Sequence, residues 1–352
     1  MGVASSTANV PEILKNIWQD EVHDYQYEDS PGYAMMPKDT SWDGLYQLIT
    51  VHYGGSSGRS ASFGAAKENK GPPKFKQMQV ATRDNFAVWS VDHKLITLSR
   101  NQRGALVRAL AAATEKAQKK IKRSTSWMIW RDGGGAVGKI NTITTTNTAN
   151  DTAVLLDIND VRNFDIDDVV EFANDSGIAN GGLLVGQRKV VAVDEDTGSV
   201  VFDSAITTIA SLAAGTPFLF HAGDYTNVFY GVAAYVPLAK PGTSGVPLSI
   251  WGMDRSAHFT RLGGHRFTAS TSNLVNEVRS VLAKAFRRNV NVTHMFCGPE
   301  AFDEIDQTIS TSRRYVDESV GRVGFKGIEF NMQGGKVVKL FSDAAIPKRA
   351  NT

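Results

Sequence analysis

Two short runs in this chain have the spacing of known chemical motifs. Gly133–Lys139, GGGAVGK, matches G-x-x-x-x-G-K, whose backbone N–H groups cradle phosphates while the Lys reaches the terminal ones. That chemistry also needs a Ser or Thr for Mg²⁺, a strand before the loop and a helix after it. Here Ile140 follows Lys139, a helical pattern precedes, and a Thr-rich strand pattern follows. Gly54–Gly58, GGSSG, matches G-x-S-x-G; a nucleophile elbow needs a strand–turn–helix that strains and exposes the serine, whereas pliable Gly/Ser sequence follows. The seven histidines, His23, His52, His93, His221, His258, His265 and His294, form no ligand pair at helical spacing. His258 and His265 flank Gly263–Gly264 and read as solvent-facing or packing groups. Asp157, Asp160, Asp165, Asp167 and Asp168 lack the Gly and closing Glu of a calcium loop, and read as a solvated rim or an intersubunit charge patch. Cys297 is the single cysteine, so neither an internal disulfide nor a cysteine-based metal site is available. The expectation is a protein that is not an enzyme, with no catalytic, cofactor or metal residues.

The bulk properties fit that expectation. With 352 residues, 42% of them hydrophobic, the chain can bury more than one compact unit. A net charge of +2 is small for a dedicated duplex-binding protein, though it permits non-specific contact with nucleic acid. The first twenty residues show no basic-then-apolar signal peptide pattern, and no run approaches a bilayer-spanning length; the chain reads as intracellular, with no membrane partner.

The elements that would position any functional residue follow in order. Residues 1–40 read as an arm, with Pro11, Pro31 and Pro37 among acidic residues and aromatics, and a short amphipathic helix at Pro11 to Trp18. An apolar run, Leu45 to Tyr53, leads into a Gly/Ser/Lys-rich segment through Gln77. Loops of that length are functional or disordered more often than not. Two strand-like runs, Met78–Val80 and Phe86–Val91, with a turn at Asp84–Asn85, suggest a long extended hairpin that lies on a neighbour. Ser99 and Gln102 form a capping-box pattern for a helix to Arg123, carrying Leu106, Leu110, Ala113, Ala117 and Ile121 at helical spacing. Its Lys116, Lys119, Lys120, Lys122 and Arg123 suit the negative end of the helix dipole. Residues 133–225 contain short β-type runs (153–156, 169–172, 183–185, 190–193, 200–202, 217–220), which argue for a small β-barrel or sandwich. Residues 226–352 return to mixed α/β: an amphipathic helix from Thr271 to Arg288, a strand Val292–Cys297, a short helix begun by Pro299, and a closing hairpin from Gly327 to Phe341 turning at Gly334–Gly335.

This order of elements resembles the HK97-fold major capsid proteins of tailed bacteriophages. The resemblance covers nearly the whole chain. It rests on the arm, the Gly-rich loop ending in DNFAVWSVDHKLITLS, the helix NQRGALVRALAAATEKAQKKIKR, then YGVAAYVP, WGMDR, STSNLVNEVRSVLAKAFRRNVNVTHMFCGPEAFDEI and FKGIEFNMQGGKVVKLFSDAAIP. It implies an α+β, HK97-like capsid fold: an N-terminal arm at 1–40, an extended loop at 41–95, the spine helix of a peripheral domain at 96–132, an inserted β domain at 133–225, and an axial domain with return strands of the peripheral domain at 226–352. The closing strand would return beside the spine helix. With only about 40 residues before the loop, the chain would be a member with a separate scaffold or none.

The function so implied is self-assembly, as hexamers and pentamers, into an icosahedral head around double-stranded DNA, assembled in a bacterial host's cytoplasm, with portal, scaffold and decoration proteins as further partners. The resemblance makes Arg59, Phe63, Lys67, Lys70, Lys74, Phe75 and Lys76 candidates for contact with an adjacent subunit. Lys116, Lys119, Lys120, Lys122 and Arg123 become candidates to face the lumen or DNA. Some members of the family join subunits by a Lys–Asn isopeptide bond from this loop, for which Lys67, Lys70, Lys74 and Lys76 would be donors by location; the sequence indicates no acceptor. Two rivals share features of the reading: an encapsulin-like compartment shell around cargo protein, and a nucleic-acid-binding protein built on the 133–225 barrel. The second would need exposed aromatics interleaved with cations, drawn from Phe164, Phe172, Phe202, Phe218, Phe220 and Tyr225 with Arg162, Arg188 and Lys189.

Overall fold

The computed structural model describes residues 30–38, 46–55, 57–88, 103–145, 151–178, 182–210, 212, 217–243, 246–267, 273–312, 328–332 and 336–347. The helix at Pro11 to Trp18, the capping box at Ser99 and the turn at Gly334–Gly335 lie outside these residues. The fold is mixed α+β, with several sheets and a few helices. The chain divides into two compact units, one of residues 1–29 and 84–126, the other of residues 30–83 and 127–352.

In the first unit the described residues are 84–88 and 103–126, all but the last two residues of the long helix α3. In chain order, the elements to that point are α1 (Pro31–Met35), β1 (Tyr46–Gly54), α2 (Phe63–Glu68), β2 (Lys74–Ala81) and α3 (Arg103–Met128). At 26 residues, α3 is about 39 Å long at 1.5 Å per residue. It runs five residues past Arg123, and its last turn holds no basic residue. The expectation that Lys116–Arg123 complement the helix dipole is therefore corrected, because that effect fades within one turn of the end. In its last turns Ser124 and Ser126 donate their hydroxyls to the carbonyls of Ile121 and Lys122.

In the second unit, β3 (Gly138–Thr145), β4 (Asp151–Leu155), β5 (Val169–Ala173), β6 (Leu183–Asp194), β7 (Ser199–Phe202) and β8 (Phe218–His221) close into a barrel of order β3-β4-β7-β6-β5-β8. Of the two all-β arrangements expected here, the strands adopt the barrel. The runs at 183–185 and 190–193 are one strand of 12 residues, because the polar stretch between them stays half-exposed on the ladder. Inward positions along β4 are buried alternately, and Ile140, Phe172, Phe202 and Leu219 are fully buried. Phe172 meets Phe202 edge-on at 5.6 Å. A barrel this narrow is filled by its own side chains, and each contributes about 1.5–3 kcal/mol by burial. Trp127 and Met128 join the same core.

The chain continues through α4 (Val232–Tyr235), β9 (Ser249–Ile250) and β10 (Met253–Asp254). It closes with α5 (Leu274–Arg287), β11 (His294–Cys297), α6 (Pro299–Ser312), β12 (Ile328–Met332) and β13 (Lys336–Ser342). The last three strands form a sheet of order β11-β13-β12, parallel between β11 and β13 and antiparallel between β13 and β12. Val275, Leu282, Ile305, Val338 and Leu340 form the core between this sheet and its two helices. The helix at Pro299 is not short: it spans 14 residues.

Past β13, the buried carboxylate of Asp343 gathers distant segments. It accepts hydrogen bonds from Ser30 Oγ (2.9 Å), Gly32 N (2.9 Å), Trp130 Nε1 (3.3 Å) and Ala345 N (2.8 Å). The segment before β1, the turn after α3 and the C-terminal strand thus meet at one side chain.

Candidate assembly surface

β1 and β2 pair antiparallel, with Tyr46 opposite Ala81, Leu48 opposite Gln79 and His52 opposite Phe75. The hairpin is thus built from 46–54 and 74–81. Met78–Val80 pair with Gln47–Ile49; of the run expected to pair with them, residues 86–88 form no strand, and 89–91 lie outside the described residues. Side chains alternate between the two faces of a hairpin. One face carries Val51, Tyr53 and Met78, which pack on Ala234, Ile250, Met253 and Leu262. Two hydrogen bonds fix this base: Gln79 N donates to the Trp251 carbonyl (2.9 Å), and Arg261 Nη1 donates to the Tyr53 carbonyl (3.0 Å). Beneath it, the fully buried Arg255 donates to the carbonyls of Ala234, Tyr235, Pro247 and Leu248, which sets the Trp251 turn against α4. The Trp251 ring stacks on Tyr235 and meets Tyr230 edge-on.

The other face of the hairpin carries Tyr46, Leu48, Thr50, His52, Phe75, Gln77 and Gln79, all at least partly exposed. Leu48 is 63% exposed and Phe75 56%. His52 and Phe75 form a tilted ring pair at 5.1 Å. A strand that is apolar on both faces needs cover on both, and among the described residues only one face has it. The alternation Tyr46, Leu48, His52 is the sequence signal for these residues, and reading 45–53 as a lead-in to the loop passes over it.

The segment joining the strands is shaped rather than structureless. It contains α2, and an isolated bridge pairs Ser57 with Lys70. Gly58 has φ of +66°, and a Cβ there would strike the Ala66 carbonyl, so the closing glycine of the motif-like GGSSG is required by packing. Phe63, at the start of α2, is 85% exposed. Arg59, Lys67, Lys70 and Lys74 are exposed around it, and from 46 to 81 the one carboxylate is Glu68. Lys76 differs from the other candidates. It lies on the anchored face, where the Ser256 hydrogen bonds and the Lys76 charge hold Asp254 below the usual carboxylate range.

On α3, Lys116, Lys120 and Arg123 recur at spacings that share a helix face. Lys119 lies beside that face and pairs with Glu115 (3.1 Å), and Lys122 lies on another side. In the glycine run before β3, a Cβ on Gly134 or Gly135 would collide with the carbonyls of Ser176 and Asp224. Close backbone crossing thus accounts for the GGG, and Lys139 lies in β3 with its ammonium 5.1 Å from the Phe218 ring. The carboxylate cluster is corrected in part. Asp160 is a buried partner of Arg131, and burial pushes its carboxyl above the ordinary value. Asp157 caps a 3-10 turn, Asp167 pairs with Lys189, and Asp168 lies 3.8 Å from His221. Among the described residues, no three His, Cys, Asp or Glu converge as metal ligands, and no helix is long and apolar enough to cross a membrane. Burial pushes the Cys297 thiol up to about 11, away from reactive thiolate character. Comparison with models of known protein families, with curated proteins and with solved structures finds no match to this chain.

Proposed function

We propose that the chain is a shell subunit, the major capsid protein of a tailed-phage head with an HK97-like fold, whose work is assembly around double-stranded DNA. The observation that carries this reading is the β1–β2 hairpin. It is anchored along one face, while the opposite face and the tip expose Leu48, Phe63 and Phe75 among cations. Such a surface is suited to a neighbouring copy. Burying each large apolar side chain contributes about 1.5–3 kcal/mol, against an association cost of about 4–15 kcal/mol. One such contact is therefore weak, and a closed shell repeats it many times. The same element order underlies the resemblance to capsid proteins. In the barrel, Phe164, Phe172, Phe202, Phe220 and Tyr225 are buried, and Arg188 is held by the Ala205 and Gln187 carbonyls and Thr208. This leaves little for the stacking that the nucleic-acid-binding barrel would need.

The test is assembly of the purified chain, alone and with the other head proteins of its source, followed by electron microscopy and sedimentation. Closed shells of uniform size are expected. L48D and F75D should keep the circular dichroism spectrum of the parent and remain dispersed. A parent chain that stays monomeric beside those proteins overturns the reading. Nucleic acid inside the particles separates a phage head from a compartment around cargo protein.

A further inference from the structure

From Arg255 to Gly298 the chain has seven Lys and Arg residues, and its one carboxylate is Glu277. The fold draws much of this charge together. Arg288, at the end of α5, donates from Nη1 to His265 Nδ1 at 2.5 Å. An arginine can only donate, so this ring nitrogen accepts, and the neutral imidazole keeps its Nε2–H as a donor. Burial and the charges of Arg288, Arg266 and His258 all hold His265 below its ordinary range, so cations face it from both segments. Arg261 N donates to His258 Nδ1 (3.2 Å), and Arg266 uses one of its donors on the Gly263 carbonyl. Phe267 presents its ring to Lys284 at 5.6 Å and to Arg288 at 5.4 Å. Arg261, Lys284, Arg287 and Arg288 are exposed and Arg266 is half-buried. Among the described residues none of these cations takes part in a salt bridge. Like charges this close repel, and an outside anion relieves them.

We infer that the surface formed by residues 258–267 and the C-terminal turn of α5 binds the phosphate backbone of nucleic acid. The ligand is a polyanion because the cations are spread over two segments and leave several guanidinium forks for phosphate oxygens, each fork able to hold one bidentately. Base recognition is not expected, since phosphate contacts carry no sequence information. The inference rests on the shell reading and deepens it by naming residues that hold the enclosed DNA, on segments other than α3.

The full-length chain, kept dispersed, is titrated with a fluorescent duplex of random sequence at several salt concentrations. Because this assay needs no assembly, its failure is separable from failure of the shell reading. The parent should bind with a steep salt dependence. R266Q/R288Q should flatten the slope of log affinity against log salt by about 1.8, since each phosphate that is no longer neutralised removes about 0.9. R266K/R288K, which keeps both charges, should retain most of the slope and controls for folding, as does an unchanged melting curve. An unchanged slope in R266Q/R288Q overturns the inference. So does binding of inorganic phosphate with no duplex binding, or a parent that binds an acidic peptide from α6 and not the duplex.

Discussion

Asp343 shows how much one carboxylate can organise when its partners are backbone and side-chain donors from far along the chain. Gly32 is part of that arrangement: a Cβ there would lie 2.6 Å from Asp343 Oδ2 and would also strike the Trp130 ring. G32A should therefore lower stability by about 1–3 kcal/mol, the usual cost of overpacking, read as an earlier urea midpoint. D343A should cost more, since several donors at this buried position would each go without an acceptor at about 1–3 kcal/mol apiece. Asp224 offers a pH test. Burial, and then the nearby Glu171 charge, raise its carboxyl to about 6 from 3.8. The folded chain therefore binds the proton more tightly than the unfolded one, and this group's contribution to stability is present below about pH 4 and lost as pH rises through about 6. D224N removes the charge, so it should stabilise the chain at pH 7 by roughly 1 kcal/mol after solvent screening and flatten the pH profile between about 4 and 6. Residues of this kind are hidden in the sequence. The glycines at 133–135 look like a phosphate loop because a backbone crossing and a phosphate cradle both exclude a side chain, and only the partner strand tells them apart.

At the scale of elements, the hairpin has one anchored face and one exposed face. Met78 is buried at its base, so M78A should cost about 2–5 kcal/mol and loosen β1 and β2, seen as faster amide exchange there than in the barrel. Sequence patterning locates the hairpin region but pairs the wrong strands. The runs at 78–80 and 86–91 are neighbours joined by turn residues, and short connections are the usual choice; the true pairing spans a long, internally folded segment. The helices are more legible, because amphipathic periodicity is local. The end of α3 is an exception: its last turns carry serines that return their hydroxyls to the helix, which composition alone reads as a stop.

At the scale of the whole chain, the second unit is held by several separate cores, and the barrel is the largest. F172A should cost about 3–5 kcal/mol and melt the barrel cooperatively, measured by denaturant unfolding followed at the tryptophans. Short apolar runs reveal that residues 133–225 are rich in strands. Closure is not legible, because it depends on Gly138 and Lys139 meeting Leu219 and Phe218, strands at opposite ends of the segment.

The distance in sequence between Gly32 and Asp343, 311 positions, also orders events during synthesis. A ribosome adding roughly 5–20 residues per second delivers the acceptor roughly 15–60 s after the donor. The hairpin's anchoring residues, from Ala234 to Leu262, likewise follow β1 by about half of the chain. A growing polypeptide therefore cannot seat the hairpin before Leu262 is made. On the proposed shell reading, recruitment waits until synthesis has passed Leu262, which keeps shorter chains out of the particle without any separate inspection step.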